Sequence, residues 1–373
     1  MSQYVHAQQL VQHFEGWAPK SLAVEGDKNG LMLGTLNKRI KKIMVTLDVL
    51  EEVIDEAIEE KVDFIFAHHP LLFRPVKQIN LEKAQGRIIA KALKNDITIY
   101  AAHTNLDIAN GGVNDMMAKA LGLKNTQILA PTSTEKLVKV VVFVPKSHQV
   151  EVREALSKAG AGHIGAYSHC TFNSEGIGTF KPLEGTNPYI GEKNVLEEVE
   201  EVKIETIIPE AKKSRVIRAI VASHPYEEPA FDIYPLENEG NTYGLGRIGE
   251  ISQEMSLKDF AYLVKEAFHV DGARVVGDLN KTIKKVAVLG GDGNKYLATA
   301  LHKGADVIVT GDVYYHMAHD VMMEGLSIID PGHHVEKIMK VGMSDFFQKM
   351  IADHHFQTEV IISKVNTDPF QFV

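Results

Sequence analysis

The chain has 373 residues and a formal net charge of −9, and a chain of this length is expected to form about two domains. The acidic balance argues against broad binding of nucleic-acid phosphates, so a nucleic-acid partner is not expected. No apolar stretch approaches the roughly 20 residues of a membrane span, and the N-terminal sequence lacks the apolar core of a secretory signal. A single cysteine, Cys170, excludes an intrachain disulfide. We therefore expect a cytoplasmic protein without membrane contact.

An internal repeat relates the two ends of the chain. Residues 41–69 align without a gap with residues 284–312, and each segment predicts an apolar strand, a helix and a second apolar strand. A third apolar strand follows in each half, at 97–102 and at 326–329. Near-continuous apolar strands are typical of parallel sheets that are covered on both faces. The sequence thus predicts an α/β fold in which two related βαβ-containing halves form a mostly parallel-sheet core.

The middle of the chain has a different pattern. It predicts, in order, a strand at 136–145, a helix at 147–160, strands at 166–172 and 200–208, a helix at 211–223 and a strand at 231–236. Residues 173–194 are rich in glycine and polar residues and predict an exposed loop or long hairpin. The order βαββαβ is typical of a ferredoxin-like α+β domain. We place this inserted domain at 131–239, which leaves a discontinuous core domain of 1–130 and 240–373.

Histidines and carboxylates follow the predicted strands of the first half. Ligands of open α/β sheets bind outside the carboxyl ends of the strands, and His68 and His69 occupy one such end. Consecutive strand residues face opposite ways, but Pro70 ends the strand and allows both rings to face one site. His103 and Asp107 follow the next strand. The alternatives are two unrelated histidines at a strand exit and an aspartate that only shapes its loop.

The second half ends in a similar way. Its third strand is followed by a turn and then by a predicted helix that begins near His333. His333 and Glu336 are three residues apart, so they share one helical face and can hold one ion. The alternative for Glu336 is a carboxylate favoured in the first helical turn by the helix dipole. Asp312 lies at the end of a strand, at the position that aligns with His69 in the repeat. We expect it to support a ligand or to contact substrate, and direct ligation is the weaker alternative.

Five ligand-type side chains predict two divalent metal ions per chain. A catalytic zinc typically takes three protein ligands, and carboxylates that bridge two ions account for the larger set. Zinc is the first expectation, and Mn, Fe, Co and Ni are alternatives. The predicted ligands are His68, His69, Asp107, His333 and Glu336. His103 and Asp312 are the catalytic candidates, with His103 as the proton carrier.

Two loops are weaker candidates. The glycine-rich turn at 290–296 offers backbone amides to a phosphate, but it matches no complete phosphate-binding motif and is more simply an ordinary tight turn. The loop at 26–34 places Asp27 or Asn29 where a substrate could be contacted, and its composition is equally that of a plain loop.

Four motifs carry a resemblance to a known family. AHHPLLF (Ala67–Phe73), HTNLD (His103–Asp107), VTGD (Val309–Asp312) and DPGHHVEK (Asp330–Lys337) together resemble the NIF-three-like dinuclear-metal family, whose members are often labelled GTP cyclohydrolase 1 type 2 homologues. The resemblance covers roughly 1–130 and 240–373 and implies the same five ligands, with His103 beside the metals. Some members space the last histidine and glutamate by four positions and this chain by three, which leaves His333 against His334 open.

The same resemblance implies an assembly and an insert. The family implies a toroidal homohexamer whose metal sites face an internal cavity. The middle segment resembles the PII-like or CutA-like insert of the longer bacterial members, with SHPYEEPAFDIYPL (Ser223–Leu236) as the nearest match.

Two functions follow as expectations. The first is a metal-dependent hydrolase that acts on a nucleotide or similar small molecule through a metal-bridging hydroxide, with GTP cyclohydrolase-type activity included. The alternative is a non-catalytic metal-binding or regulatory hexameric ring with a ligand-sensing insert. A metalloenzyme that acts on nucleic acid is disfavoured by the acidic charge.

Overall fold

A computed structural model describes residues 4–373 of the chain. It contains two compact units, of which the larger comprises Met1–Ser133 with Tyr243–Val373 and the smaller Thr134–Thr242. Both mix helices with strands, so the fold is α/β with several sheets. Within residues 4–373 no helix is long and apolar enough to cross a membrane.

The first half of the larger unit alternates strands and helices. Its elements are β1 (Val5–His6), α1 (Ala7–Trp17), β2 (Gly30–Leu33), β3 (Arg39–Ile40), β4 (Lys42–Thr46), α2 (Glu51–Glu59), β5 (Phe64–Ala67), α3 (Ala84–Lys94), β6 (Thr98–Ala101), α4 (Thr104–Ile108) and α5 (Val113–Ala120). Helix α2 shows why the pattern folds this way. Val53, Ile54 and Ala57 form its buried stripe, and Glu51 and Glu52 occupy the first turn, where the helix dipole favours carboxylates.

Two long strands carry the chain between the units. The elements of this middle region are β7 (Lys124–Pro145), α6 (Gln149–Lys158), β8 (Phe172–Phe180), β9 (Glu197–Pro209), α7 (Lys213–Ser223) and β10 (Phe231–Ser256). The second half of the larger unit follows with α8 (Leu257–Phe268), β11 (Arg274–Val276), β12 (Thr282–Asp292), α9 (Leu297–His302), β13 (Val307–Gly311), α10 (Tyr315–Met323), β14 (Ser327–Asp330), α11 (Met339–Asp353) and β15 (Glu359–Ile362).

The two halves of the larger unit have matching strand arrangements. In the first sheet, with order β15-β4-β5-β6-β2, neighbours pair in parallel except β2, which is antiparallel to β6. In the second half β12, β13 and β14 pair in parallel, and β11 is antiparallel to β14. Phe66 of β5, Val288 of β12 and Phe347 of α11 belong to one buried apolar cluster. Both sets of strands therefore build one core.

Hydrogen bonds and glycines show that the repeat is structural. Asp63 accepts the backbone N–H groups of Lys41 and Lys42 at 2.6 and 3.0 Å, and Asp306 accepts those of Lys284 and Lys285 at 2.9 and 2.7 Å. Gly34 and Gly277 both have positive φ, 86° and 114°. A Cβ on either would lie under 3 Å from a side-chain oxygen of the third strand, Thr98 in one half and Ser327 in the other. The repeat thus extends upstream of the segments that the sequence aligns.

The smaller unit has its own core. Val142 of β7, Leu156 of α6, Ile204 of β9 and Val216 of α7 are fully buried in one cluster, and β9 pairs antiparallel with β7 and β8.

One sequence-based strand in this unit is wrong. The strand expected at 166–172 is replaced by a turn and irregular chain. Strand β8 occupies Phe172–Phe180, in the segment for which we predicted an exposed loop or a long hairpin, and it pairs antiparallel with β9 as the arm of a long hairpin would. Gly176 and Gly178 give β8 the composition of a loop, yet a Cβ on Gly178 would lie 2.2 Å from Glu201 Oε2 on the neighbouring strand. Glycine at position 178 therefore leaves room for the Glu201 carboxylate.

Candidate metal centre

The end of β5 delivers two consecutive imidazoles to one place. The backbone N–H groups of His68 and His69 both donate to the carbonyl of Leu47, at 3.2 and 2.9 Å, so the chain curls away from the ladder before Pro70. The ring centroids of the two histidines are 5.1 Å apart. His68 is fully buried, and His69 is partly exposed.

Glu336 lies at the centre of the cluster. Its Oε2 atom is 3.0 Å from His69 Nε2, 3.2 Å from His333 Nε2 and 3.7 Å from His68 Nε2. The 3₁₀ helix His333–Ile338, which directly follows β14, presents Glu336 and His333 together. The ligand atoms of His68, His69 and Glu336 lie within 4.8 Å of one another, so these three residues could hold a metal ion.

Asp107 completes the ring of polar atoms around this group. It lies on α4 after β6, and its Oδ1 is 3.4 Å from His68 Nε2. Asp107 Oδ1 and His68 Nε2 are both buried, and neither has a hydrogen-bond partner among the described residues. Buried polar atoms normally have partners. Two unpaired atoms beside the Glu336 carboxylate are what a divalent cation would need, because imidazole nitrogen and carboxylate oxygen are its ordinary ligands.

The two buried carboxylates of the site have pKa shifts in opposite directions. Burial opposes ionisation of Glu336, but hydrogen bonds from His333 and His69 outweigh it and hold the Glu336 pKa well below its usual range. Burial and the neighbouring Glu336 charge raise the pKa of Asp107 well above its usual range. Two buried carboxylates therefore share one site in which only one ionises readily.

The pKa values of the histidines are also shifted in opposite directions, down for His68 and up for His69 and His333. Burial lowers the pKa of His68 to about 3, so its ring is neutral. Burial also opposes the charged form of His69, but Asp48 and Glu336 raise its pKa to about 10. The hydrogen bond to Glu336 raises the pKa of His333 to about 9 despite burial. A metal ion at this site would displace these protons, since only a neutral imidazole ligates.

Three of the histidine rings have an aspartate carboxylate at the Nδ1 atom. In each pair an aspartate oxygen contacts the Nδ1 atom, at 2.6 Å for Asp48 with His69, 2.7 Å for Asp312 with His333 and 2.6 Å for Asp27 with His103. The carbonyl of Ala102 contacts His68 Nδ1 at 2.7 Å. Binding Nδ1 in this way fixes the tautomer and leaves Nε2 for the site, as is usual for metal-ligating histidines.

The structure places the two catalytic candidates differently. Asp312 adopts a left-handed backbone with φ 55°, and its Oδ2 atom lies 2.7 Å from His333 Nδ1, on the side of that ring away from Glu336. The His103 ring centroid is 5.5 Å from that of His68 and 5.7 Å from that of His69, and its side chain is 21% exposed. His103 thus lies beside the His68 and His69 rings and has access to solvent.

The geometry also addresses the choice between His333 and His334. His333 directs Nε2 at Glu336, whereas His334 Nε2 lies 3.3 Å from Thr367 Oγ1 and its Nδ1 lies 3.7 Å from Asp368. His333 therefore faces the site, and His334 contacts the C-terminal segment.

Sequence reasoning missed two features of the centre. Asp48 was not singled out, although it follows β4 at the same edge of the sheet as the other candidates. The glycine-rich turn lies against Glu336, because a Cβ on Gly290 or Gly291 would lie 2.8 or 3.0 Å from Glu336 Oε1. Gly291 also has φ 67°. The turn thus makes room for the central carboxylate.

Comparison with known proteins shows the family of the chain. The family model described as Duf34/NIF3 (NGG1p interacting factor 3) matches residues 5–369. The chain belongs to the Duf34/NIF3 family. This confirms the resemblance seen in the sequence.

Similar Duf34/NIF3 proteins match over nearly the whole chain. A protein of Halalkalibacterium halodurans is 63% identical over 368 residues, 99% of each chain, and one of Bacillus subtilis is 56% identical over 373 residues, 100% of each. Both are named GTP cyclohydrolase 1 type 2 homolog. Among solved structures, a Bacillus cereus protein related to NIF3 matches with a TM-score of 0.93 at 56% identity, and a Staphylococcus aureus protein with 0.78 at 34% identity, each over 100% of both chains.

Proposed function

We propose that this Duf34/NIF3 protein is a metal-dependent hydrolase that binds two divalent cations per chain and acts on a nucleotide or a similar small molecule. The proposed ligands are His68, His69, Asp107, His333 and Glu336, with zinc as the first expectation and Mn, Fe, Co and Ni as alternatives. GTP cyclohydrolase-type activity belongs to this class. The names of the two relatives point the same way.

The position of Glu336 carries the proposal. One carboxylate oxygen lies within 3.0–3.7 Å of three imidazole nitrogens. Two pairs of ligand-type residues surround this oxygen. One pair is His68 with Asp107, which are in contact, and the other is His69 with His333, whose ring centroids are 5.2 Å apart. Glu336 is thus shared by two pairs of ligand-type residues, an arrangement that suits a bridging carboxylate between two ions.

The reaction chemistry follows from this centre. When bound, divalent cations polarise a substrate oxygen and lower the pKa of water towards neutrality. Glu336 and Asp107 offset the positive charge, and Asp48 and Asp312 keep the ligand imidazoles in one tautomer. His103 binds Asp27 through Nδ1, which keeps Nε2 available to carry a proton to or from the reacting atoms.

The finer architecture belongs to the same proposal. The smaller unit has the strand and helix order of a ferredoxin-like domain, and we propose that it is a PII-like or CutA-like insert. We also propose that the chain assembles into a toroidal homohexamer. Sedimentation velocity of the full chain tests the assembly, and a monomer at micromolar concentration would contradict it.

One paired experiment tests the function. Protein purified without added metal is assayed by elemental analysis, and the same sample is assayed for turnover of nucleotides, phosphoesters and cyclic amides. We expect about two ions per chain and turnover that a chelator abolishes and added metal restores.

The outcomes separate the candidate functions. Two ions without turnover on any substrate would favour the non-catalytic regulatory ring. A single ion in every preparation would contradict the dinuclear centre. Turnover that survives removal of all metal would contradict a metal-dependent mechanism.

A further inference from the structure

The smaller unit contains a cavity that is separate in sequence from the metal ligands. Its volume is about 550 Å³, within the range of small-molecule sites. The lining comes mainly from the end of β8, the segment at 181–190 that follows it and the segment at 226–230 before β10, with Phe143 of β7 and Glu201 of β9. All of these lie within Thr134–Thr242.

Aromatic rings gather around Tyr226 in this cavity. The Tyr226 ring centroid is 5.0 Å from that of His224, 5.5 Å from that of Phe180 and 6.4 Å from that of Tyr189. These distances are typical of interacting aromatic pairs. Phe180, Tyr189 and Tyr226 all line the cavity, so aromatic faces and edges form much of its wall.

Hydrogen bonds through His224 fix the backbone position of Tyr226. The Tyr226 N–H donates to His224 Nδ1 at 3.0 Å, and His224 Nε2 donates to the carbonyl of Phe143 at 2.8 Å. The Tyr226 hydroxyl is buried beside the Glu201 carboxylate, and burial together with that carboxylate raises the pKa of Tyr226. The Tyr226 ring and the Glu201 carboxylate thus lie side by side in the cavity.

The charged groups of the lining are mainly acidic. Glu201, Glu227 and Glu228 line the cavity against a single cation, Lys181. Gly178 leaves room for Glu201, because a Cβ there would lie 2.2 Å from its Oε2. Glu227 accepts the backbone N–H of Asn187 at 3.0 Å and so ties the 181–190 segment to the rim.

Aromatic walls and carboxylates together suit one class of ligand. A cation gains from the faces of tyrosine and phenylalanine rings and from carboxylates at close range. Phosphates are disfavoured by three glutamates against one lysine, which separates this cavity from a nucleotide site. We propose that the cavity binds a small organic cation, of the quaternary or primary ammonium class.

The test uses the full-length, metal-loaded protein and matched probes. Choline is titrated by calorimetry at constant ionic strength, alongside 3,3-dimethylbutan-1-ol, which has nearly the same shape and no charge. We expect saturable choline binding and affinity at least about tenfold weaker for the neutral alcohol, since a cation–π and carboxylate site requires the charge.

Matched variants place the binding in this cavity. Glu201→Gln is expected to weaken choline binding about tenfold, because it removes the charge and keeps the shape. Glu200→Gln is the control, since Glu200 is exposed and consecutive strand residues face opposite ways. If Glu201→Gln fails to fold, Glu228→Gln on the exposed rim takes its place with the same expected direction.

Three results would overturn the proposal. They are absence of saturable choline binding at millimolar concentration, equal affinity for choline and the neutral alcohol, and unchanged choline affinity in the glutamate variants. Saturable binding of GTP with none of choline would show an anion site and would overturn it equally.

Discussion

Asp48 offers a sharp test of how the metal centre is organised. Its Oδ1 atom contacts His69 Nδ1 at 2.6 Å, and its Oδ2 accepts the Thr367 hydroxyl at 2.5 Å. The carboxylate thereby fixes the tautomer of His69 and helps to raise the pKa of that ring to about 10. Replacement of Asp48 by Asn keeps the size of the side chain and removes its charge.

The expected cost follows from that contact. Loss of a carboxylate behind a ligating histidine typically lowers metal affinity by about 10–100-fold, or about 1.4–2.8 kcal/mol. We place Asp48→Asn near the lower end of this range, because the asparagine oxygen can still accept the Nδ1 hydrogen. Asp48→Ala removes both the charge and the acceptor, and we place it near the upper end.

Competition with a chromophoric chelator measures both affinities. Asp345→Asn is the matched control, since it makes the same chemical change at an exposed position on helix α11 of the same unit. Thermal unfolding of the metal-free proteins checks that each variant folds. Metal affinity that is equal in wild type, Asp48→Asn and Asp48→Ala would refute the assignment of His69 as a ligand held by Asp48.

Four further predictions concern the same centre. Elemental analysis of Glu336→Gln should show a loss of more than one ion per chain, because the shared carboxylate serves both pairs of ligands. Retention of both ions would contradict a bridging role for Glu336. If turnover is found, His103→Ala should keep the metal and lose about 10²–10⁴-fold in turnover, whereas loss of metal would make His103 a ligand. Metal binding at pH 7.5 should release at least about two protons per chain, since the pKa values of His69 and His333 are raised to about 10 and about 9 in the metal-free site and the pKa of Asp107 is raised as well. Metal affinity should therefore rise with pH. Calorimetry in buffers of different ionisation enthalpy that detects no proton release would contradict this. Gly290→Ala should weaken metal binding by displacing Glu336, whose Oε1 would lie 2.8 Å from the new Cβ, and unchanged affinity would show that Glu336 shifts without loss.

Much of the fold and site could be predicted because parallel strands bring their carboxyl ends to one edge. The strand-end residues His68, His69 and Asp107 lie close together, and so do His333 and Glu336, whose spacing on one helical turn is a local property. The binding of metal ions, their identity and the ligand set stay predictions.

The rest depends on contacts that local patterns do not contain. Asp48 and His69 are 21 residues apart, and no periodicity links them. The strand β8 could not be distinguished from a loop because Gly176 and Gly178 are typical of loops, and only the structure shows that Gly178 leaves room for the Glu201 carboxylate. Asp312 illustrates the same limit, since its place at a strand end was visible but its contact with His333 was not.

The central contact of the site also fixes when it can form during synthesis. His69 and Glu336 are separated by 267 residues, and the whole smaller unit is translated between them. The first half of the chain supplies His68, His69 and Asp107, but it lacks the Glu336 carboxylate that contacts His69. A centre that uses Glu336 can therefore be complete only after the second half of the larger unit has been synthesised. An ion held by both His69 and Glu336 would close a loop of 267 residues, so binding it would stabilise the completed core.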